Sequence, residues 1–473
     1  MNRFFLQEQY PREIPRQVYA RLDDIEPIFS TPEDELTFVL DAVDANWSGF
    51  KDGGLFSLDD PDLKRRIATY WRGRFGGDRP DELDGYEQVP IYRLELSISP
   101  SDKFFDRLPR DEESWISLQL STAEGGTPVD VYSGLFAPPI RAYVHAAPAS
   151  APSGPLSTLF DMTTWPDANQ EDLLAALKPQ CALEALVCFD VGQGSASALI
   201  CQCGFPIYYF DTGRGSGRNA PTAPATIDFC TCSSPTVILS HWDTDHWAGA
   251  SGHTGLQKCT WVVPRQTISI THTAFANDIL NAGGNILVVE NDASSLTWSS
   301  GQQDFDLQRA KGKGRNGTGL VLIVSDSASR RSWVLTGDAG YNLIANSPQF
   351  DIAALVVPHH GADMGPNSVP FLRSSNDYAR LFYSFGPANG HGSKNPPVRH
   401  PVFAAVKAHQ ARQWDHSPWT PTIAGQLLAG GDVLATATHV ATHLQGGAAG
   451  WVGPPSSLGH LSGCAHAMPV PQN

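Results

Sequence analysis

The chain of 473 residues is too long for one ordinary domain, which predicts two or three domains. Its net charge of −16 is concentrated near the N-terminus, because residues 1–175 hold 31 acidic and 16 basic residues, whereas the remainder holds 18 and 17. The overall charge therefore does not exclude polyanionic substrates for the later part. The sequence shows no apolar run of signal-peptide or membrane-span length, and its eight cysteines are too few for a disulfide-dense scaffold. We expect a cytoplasmic protein that does not enter a membrane.

Residues 1–175 predict an acidic N-terminal domain of mixed α/β type. Apolar spacing favours helices over 33–50 and 61–75, and apolar alternation or clustering favours strands over 90–99, 114–122 and 140–145. The segment 146–155, rich in Ala and Pro, is typical of a linker or a surface loop. The excess acidity raises the hypothesis that this domain holds a protein partner or masks a basic groove. Plain solubility is the simpler interpretation.

From residue 183 onward, short apolar strands are followed by polar clusters. Strand-like runs cover 183–190, 196–202, 207–211, 236–239, 320–325, 333–336 and 353–357. Strands that end at one edge of a sheet bring such clusters together. We therefore predict a domain over 183–435 whose site combines residues distant in sequence. Residues 436–473 are expected to form a C-terminal tail that is partly disordered.

Three polar motifs point to a metal site. The densest motif places four potential ligands within six residues: His241, Asp243, Asp245 and His246. Alternation in an extended loop directs the first three to one side, and imidazole and carboxylate together suit Zn²⁺, Mn²⁺ or iron. Alone, Gly337-Asp338 would be an ordinary turn and His359-His360 a structural or exposed pair. Their shared order, each after an apolar strand, is far more specific.

The ordered set of Asp190, the 241–246 motif, Asp338 and His359-His360 resembles the metallo-β-lactamase superfamily. This resemblance implies a four-layered αββα sandwich over 183–435, beside the mixed α/β N-terminal domain. Several shorter sequence segments resemble the soluble hydrolase domain of competence-type DNA-uptake proteins. The segments that carry it are Asp190-Val-Gly-Gln-Gly194, Asn316-Gly-Thr-Gly-Leu-Val-Leu322, Leu335-Thr-Gly-Asp338, Val357-Pro-His-His-Gly361 and Ser384-Phe-Gly386, followed by Asn389 and His400-Pro401.

The resemblance implies two divalent metal ions, Zn or Mn. By similarity, His241 and Asp243 bind one ion, Asp245 and His246 bind the other, and Asp338 bridges them. One of His359 and His360 completes the second site; the sequence does not choose between them. Asp190 is expected to orient a ligand or the motif loop.

This chain departs from the superfamily in its first metal site. Many superfamily members have His where Asp243 stands, and an additional carboxylate favours Mn²⁺ relative to pure Zn²⁺. A further His ligand is often present, but here His253 and His272 are the only candidates, both in weak contexts. The first site therefore lacks an obvious third ligand.

Such a centre generates hydroxide near neutral pH and stabilises developing negative charge. Asp245 or a neighbouring histidine, with His246 the nearest, could move the proton to the leaving group. We predict a metal-dependent hydrolase, most favourably a phosphodiesterase or nuclease acting on nucleic acid. The residues that could bind substrate are Lys313, Arg315, Asn316, Asn389, His391 and Lys394, since Arg and Lys neutralise phosphates.

Two other functions remain open. The same fold would also suit an acyl substrate such as a lactone or thioester. It could instead serve a regulatory or binding protein whose acidic domain holds a partner. The oligomeric state stays undetermined.

The cysteines allow a different metal site. The pairs Cys201-x-Cys203 and Cys230-x-Cys232 could in principle build a Cys₄ zinc site. Zinc sites prefer two or more residues between the cysteines of a pair, so buried thiols beside strands are the favoured interpretation.

Overall fold

The computed structural model describes residues 1–6, 13–26, 35–51, 53–78, 85–179, 181–225, 227–292, 295–373, 379–391, 398–416, 431–436 and 448–450. The chain divides into two compact units. Unit 1 comprises Met1–Pro166, Thr267–Gly284 and Gly390–Val398, and unit 2 comprises Asp167–Gln266, Asn285–Asn389 and Arg399–Asn473. Unit 1 thus draws on later segments that the predicted division at residue 175 assigned to the hydrolase domain.

The strands are β1 (Gln17–Glu26), β2 (Leu36–Asp44), β3 (Ile91–Ile98), β4 (Trp115–Ser121), β5 (Thr127–Tyr132), β6 (Ile140–Val144), β7 (Ala149–Ser150), β8 (Leu183–Cys188), β9 (Ala196–Cys201), β10 (Pro206–Thr212), β11 (Thr236–Ile238), β12 (Thr260–Pro264), β13 (Asn285–Val289), β14 (Ser295–Ser300), β15 (Gln303–Arg309), β16 (Leu320–Asp326), β17 (Arg331–Leu335), β18 (Asp351–Val356), β19 (Arg380–Tyr383), β20 (Val433–Ala435) and β21 (Ala448–Gly450). The helices are α1 (Leu63–Phe75), α2 (Gly85–Gln88), α3 (Ser153–Phe160), α4 (Gln170–Leu177), α5 (Thr254–Gln257), α6 (Ile270–Ala282), α7 (Gly314–Gly317) and α8 (Phe403–Gln410). None of the helices in these described ranges combines the length and the apolarity that a membrane crossing requires.

Unit 1 is built on a closed antiparallel barrel. Its strands run β1-β2-β3-β5-β6-β4, and β4 pairs back onto β1 to close the sheet. Alternate side chains such as Val18 and Ala20 of β1 and Phe38 and Leu40 of β2 share one buried cluster, as the two-residue period of a strand requires. The prediction of a mixed α/β domain did not anticipate this closed barrel.

One local prediction for unit 1 is wrong, and a second is confirmed only in part. The predicted helix over 33–50 is replaced by β2, because nearly every β2 side chain is buried and a strand that is apolar on both faces also satisfies helical spacing. The predicted linker 146–155 contains β7, which pairs with β4, and the start of α3. The helix predicted over 61–75 and the strands predicted over 90–99, 114–122 and 140–145 are confirmed as α1, β3, β4 and β6.

Unit 2 contains two seven-stranded mixed sheets, ordered β13-β12-β11-β10-β9-β8-β21 and β14-β15-β16-β17-β18-β19-β20. One hydrophobic cluster combines Phe210 and Val262 of the first sheet with Leu322 and Val356 of the second, so the two sheets pack face to face. A separate cluster joins Val406 of α8 to residues of the second sheet. The full four-layered sandwich stays a prediction, and most of the predicted tail 436–473 lies outside the described residues.

Parallel pairs of strands position the predicted motifs. In the first sheet, β10 and β11 run parallel, with Asp211 near the end of one and Ser240-His241 just beyond the other. In the second sheet, β17 and β18 run parallel and lead into Gly337-Asp338 and His359-His360. Since parallel strands end at the same edge, each sheet delivers two polar segments to one edge. The strands predicted for this part are confirmed as β8, β9, β10, β11, β16, β17 and β18.

Candidate metal centre

The rings of two buried histidines in the 240–246 loop are oriented by contacts to their Nδ1 atoms. The Ser240 hydroxyl donates to Oδ2 of Asp211 at 2.8 Å, and it lies 2.9 Å from Nδ1 of His241 and 3.2 Å from Nδ1 of His246. Nδ1 of His246 also lies 2.8 Å from Oδ2 of Asp211. Because the hydroxyl hydrogen and the carboxylate are already committed, both rings donate from Nδ1. Their Nε2 atoms therefore face the opposite side, where a metal ion would take the place of a proton.

Asp338 lies on that opposite side. Its Oδ1 is 3.1 Å from Nε2 of His246, while its Oδ2 is 3.7 Å from Nε2 of His241 and 3.0 Å from Nδ1 of His359. The preceding Gly337 has a φ of +54°, and a Cβ there would lie 2.6 Å from Cβ of Ser240. Only glycine permits this close approach between the two sheets' loops.

The adjacent histidines at the end of β18 contact different carboxylates. Nε2 of His360 lies 3.0 Å from Oδ2 of Asp245, and its Nδ1 donates to the carbonyl of Ser384 at 2.8 Å. His359 instead faces Asp338 and Asn316. Both histidines adopt left-handed backbone angles, with φ of 47° and 54°, which are uncommon for residues other than glycine and recur at functional sites.

The charges of the site favour a cation. Burial by itself lowers the pKa of His246, but Asp338, Asp211 and Asp245 raise it well above the usual value. Burial raises the pKa of Asp338, yet His246, His359 and His241 hold it well below its usual range. The carboxylates thus stay ionised and stabilise positive charge on the facing nitrogens, and a metal ion supplies such charge without a proton.

The donor atoms fit two adjacent divalent ions. Ligand atoms of His241, His246 and Asp338 lie within 4.8 Å of one another, and so do those of Asp245, His246 and His360. Within the described ranges, the buried Nε2 atoms of His241 and His246 have no hydrogen-bond partner, although carboxylates face them. Nitrogen and oxygen donors in this proportion suit Zn²⁺ and Mn²⁺. The two groups meet at His246.

Asp243 faces Nε2 of His241 in this centre, but it also forms an ion pair with an arginine. Its Oδ2 lies 3.2 Å from Nε2 of His241, and its Oδ1 lies 2.8 Å from Nε of Arg315. The Arg315 side chain is buried, which contradicts its predicted contact with substrate. Gln266 accepts from the amide of Trp242 and donates to the carbonyl of Arg315, which ties α7 to the motif loop.

The orienting residue that the sequence reasoning missed is Asp211. The hydrogen bond of Asp190 goes to the amide of Gly192 in its own loop at 3.0 Å, so it shapes that loop. Asp211 instead binds Ser240 and His246 directly. The signal was available, since Asp211 lies at the end of an apolar strand, as Asp338 lies just beyond β17.

The remaining predicted residues occupy different positions. Lys313 is exposed directly before α7, and the Asn316 amide lies 3.2 Å from Nδ1 of His359. Asn389 is fully buried and bonds backbone groups of Gly386 and His400, so it holds a loop and is not available to substrate. His391 belongs to unit 1, where it pairs with Val398. Lys394 lies outside the described residues.

Neither candidate for the additional histidine ligand joins the centre. His253 binds Asp228 through Nε2 and caps α5 through Nδ1. His272 belongs to unit 1, where its Nδ1 lies 3.0 Å from Oγ of Ser269 at the start of α6.

No family model matches the chain, and no curated protein matches it. Solved structures that resemble part of it include the short form of human tRNase Z, at 14% identity over 36% of this chain and 76% of that chain, with a TM-score of 0.25. Zinc-bound PqqB from Methylobacterium extorquens shares 11% identity over 36% and 71%, at a TM-score of 0.23. An archaeal metallo-beta-lactamase superfamily protein from Sulfolobus tokodaii shares 15% over 35% and 67%, at 0.20. Likenesses this distant carry no argument, so the functional interpretation depends on the centre itself.

Proposed function

We propose that the chain is a metal-dependent hydrolase that uses two divalent ions, Zn²⁺ or Mn²⁺, and acts on phosphodiesters, with nucleic acid as the favoured substrate. The observation that carries this proposal is the convergence of two His/Asp groups around His246. Within the described ranges, the buried Nε2 atom of His241 has no hydrogen-bond partner, and Nε2 of His246 faces the carboxylate of Asp338 at 3.1 Å. A metal ion would satisfy both nitrogens and the carboxylate in this buried space.

The geometry suggests a division of ligands. His241, Asp243 and Asp338 would hold the first ion, and Asp245, His246 and His360 would hold the second, with Asp338 within reach of both. The sequence did not choose between His359 and His360 as a ligand. This division assigns the position to His360, because His360 faces Asp245. The first site is then completed by Asp338 in place of an additional histidine, and Arg315 competes for Asp243.

The chain's own residues support hydrolysis without a side-chain nucleophile. Divalent ions bound there would supply Lewis acidity and acidify water. The Asp245 side chain is 29% exposed, more than Asp243, Asp338 or the histidines around it, so it is placed to accept a proton. His359 is 10% exposed and lies beside Asn316, where it could return a proton to the leaving group.

Phosphodiesters are favoured by charges on the loop that leads into α7. Lys311 and Lys313 are exposed there, and the same loop carries Arg315 and Asn316, which contact Asp243 and His359. Lysines beside a two-metal centre bind anionic substrate groups. A lactone or thioester gains nothing from these charges.

The test uses the full chain, stripped with a chelator and reloaded with Mn²⁺ or Zn²⁺. We expect hydrolysis of bis-p-nitrophenyl phosphate and of single- or double-stranded nucleic acid to disappear with the chelator and to return with metal. Asp245→Ala should be inactive after reloading, whereas Asp228→Asn, which changes an exposed carboxylate, should match the unchanged protein.

Two outcomes would contradict the proposal in different ways. Metal-loaded protein that hydrolyses a lactone or thioester panel but no phosphodiester would overturn the substrate class alone. Protein that binds no divalent ion by elemental analysis would overturn the metal centre.

A further inference from the structure

A second group of potential metal ligands lies elsewhere in unit 2, at one end of the β8–β9 pair. It consists of Cys181, Cys201 and Cys203, whose sulfur atoms all lie within 4.8 Å of one another. Sγ of Cys181 is 3.6 Å from Sγ of Cys203. Cys201 is buried, Cys181 is half-buried and Cys203 is exposed. These thiols have no part in the hydrolytic centre.

Backbone bonds hold the three sulfurs together. The register pairs Leu183 with Cys201, and the amide of Gln202 donates to the carbonyl of Ala182, which brings Cys181 beside the end of β9. Gly204, with a φ of +81°, turns the chain after Cys203, and its amide donates to the carbonyl of Cys201. The strand pairing therefore preorganises the thiols.

The spacing suits thiolate coordination. A zinc ion bonds to sulfur at about 2.3 Å, so two sulfurs of a tetrahedral site lie about 3.8 Å apart. The Cys181–Cys203 separation of 3.6 Å is close to this edge, whereas a disulfide requires about 2.05 Å. The amide of Cys203 also donates to Sγ of Cys201 at 3.3 Å, a bond that favours the thiolate.

We propose that Cys181, Cys201 and Cys203 form a three-thiolate site for one Zn²⁺ ion, with the fourth position open beside the exposed Cys203. The occupied site would fasten the segment before β8 to the β9–β10 turn. It differs from the Cys₄ arrangement considered from sequence, because Cys181 takes the place of the 230–232 pair. It is also independent of the proposed hydrolase activity.

Cobalt titration of the anaerobically purified, metal-stripped full chain, without added reductant so that the disulfide of Cys230 stays intact, tests this site. Thiolate-to-cobalt charge transfer absorbs in the near ultraviolet, and histidine and carboxylate ligands do not produce it. The signal therefore reports the thiols even when cobalt also fills the hydrolytic centre. We expect the amplitude of the band to correspond to one thiolate-bound cobalt ion per chain, and the band to disappear when Zn²⁺ is added in excess over all the metal sites.

Cysteine variants separate the site from incidental thiols. Cys181→Ser and Cys203→Ser change side chains that are not fully buried and should each reduce the band and weaken Zn²⁺ binding at least tenfold. Cys232→Ser, at an exposed thiol outside the group, should leave both unchanged. Circular dichroism checks that each variant is folded.

Three results would overturn the site. The first is the absence of a thiolate band in the unchanged protein, and the second is a band that survives both substitutions. The third is a Cys181–Cys203 disulfide found by peptide mapping of anaerobically purified protein. Each result is independent of hydrolysis, so failure here would leave the proposed function standing.

Discussion

Each unit buries a cluster of aspartate and histidine, and the two clusters balance their charge differently. In unit 1, Asp23, Asp41 and His272 lie together, and Nη1 of Arg93 lies 2.8 Å from Oδ2 of Asp23 and 3.8 Å from Oδ1 of Asp41. In unit 2, Asp338 and Asp245 face histidines, and within the described ranges neither forms an ion pair with lysine or arginine.

The difference teaches which cluster needs a metal. A guanidinium is always charged and cannot leave, so Arg93 fills the position that a cation would take. Asp338 and Asp245 of unit 2 face imidazoles, which lose their proton when an ion binds, although Asp243 of the same centre pairs with Arg315. Similar residue types therefore build an internal ion pair in one unit and a candidate metal centre in the other.

The strongest test of this comparison replaces one aspartate by asparagine in each cluster. Asp338→Asn should lower metal affinity and hydrolysis by more than about 100-fold, because losing a shared ligand costs more than losing an orienting partner. Asp41→Asn should bind the same number of ions as the unchanged protein. Elemental analysis and phosphodiester hydrolysis measure both effects. Equal loss of metal in the two variants would show that the unit 1 cluster also binds an ion.

A smaller loss of metal affinity is expected when the residues that orient the ligands are changed. Asp211→Asn removes the negative charge that holds Nδ1 of His246, so metal affinity should fall about 10- to 100-fold. Asp190→Asn should change it less, because its hydrogen bond serves its own loop. Competition with a chelator measures both affinities. A larger loss in Asp190→Asn would return the orienting role to the residue first predicted.

The sequence motifs named residues that the structure brings together in unit 2, whereas no motif indicated the barrel of unit 1. His241, Asp338 and His360 follow apolar strands directly, so strand order alone places them together. The choice between His359 and His360 depends on two left-handed residues, which no periodicity reveals. Asp211 also lies at the end of an apolar strand, so the same pattern indicates it.

The features that the sequence did not predict depend on contacts between residues that are far apart in the chain. Residues 267–284 interrupt the sequence of unit 2 yet belong to unit 1, where Oγ of Ser269 donates to Asp41. Cys181 meets Cys203 only through the register of β8 and β9. Contacts of this kind depend on strand pairing, which local spacing does not specify.

The smallest predicted effect concerns pH and the cluster of unit 1. Burial and repulsion from Asp23 raise the pKa of Asp41 to about 7, although Arg93, Ser269 and Thr271 oppose the shift. The folded state then keeps a proton that the unfolded state releases above about pH 4. Stability should therefore fall as pH rises from about 4 to about 7, by at most about 1.4 kcal/mol per pH unit, and level off above that range.

Comparison with Asp41→Asn isolates this carboxyl group from others that titrate. Burial also raises the pKa of Asp190 and of Asp278 to about 7, so the unchanged protein alone does not identify the source. Asparagine carries no charge, and the difference in Tm between variant and unchanged protein should grow in favour of the variant from pH 5 to pH 7.5. A difference that stays constant with pH would mean that Asp41 is ionised throughout. Arg93 would then neutralise both carboxylates, and the contrast between the two clusters would be stronger than the pKa of Asp41 implies.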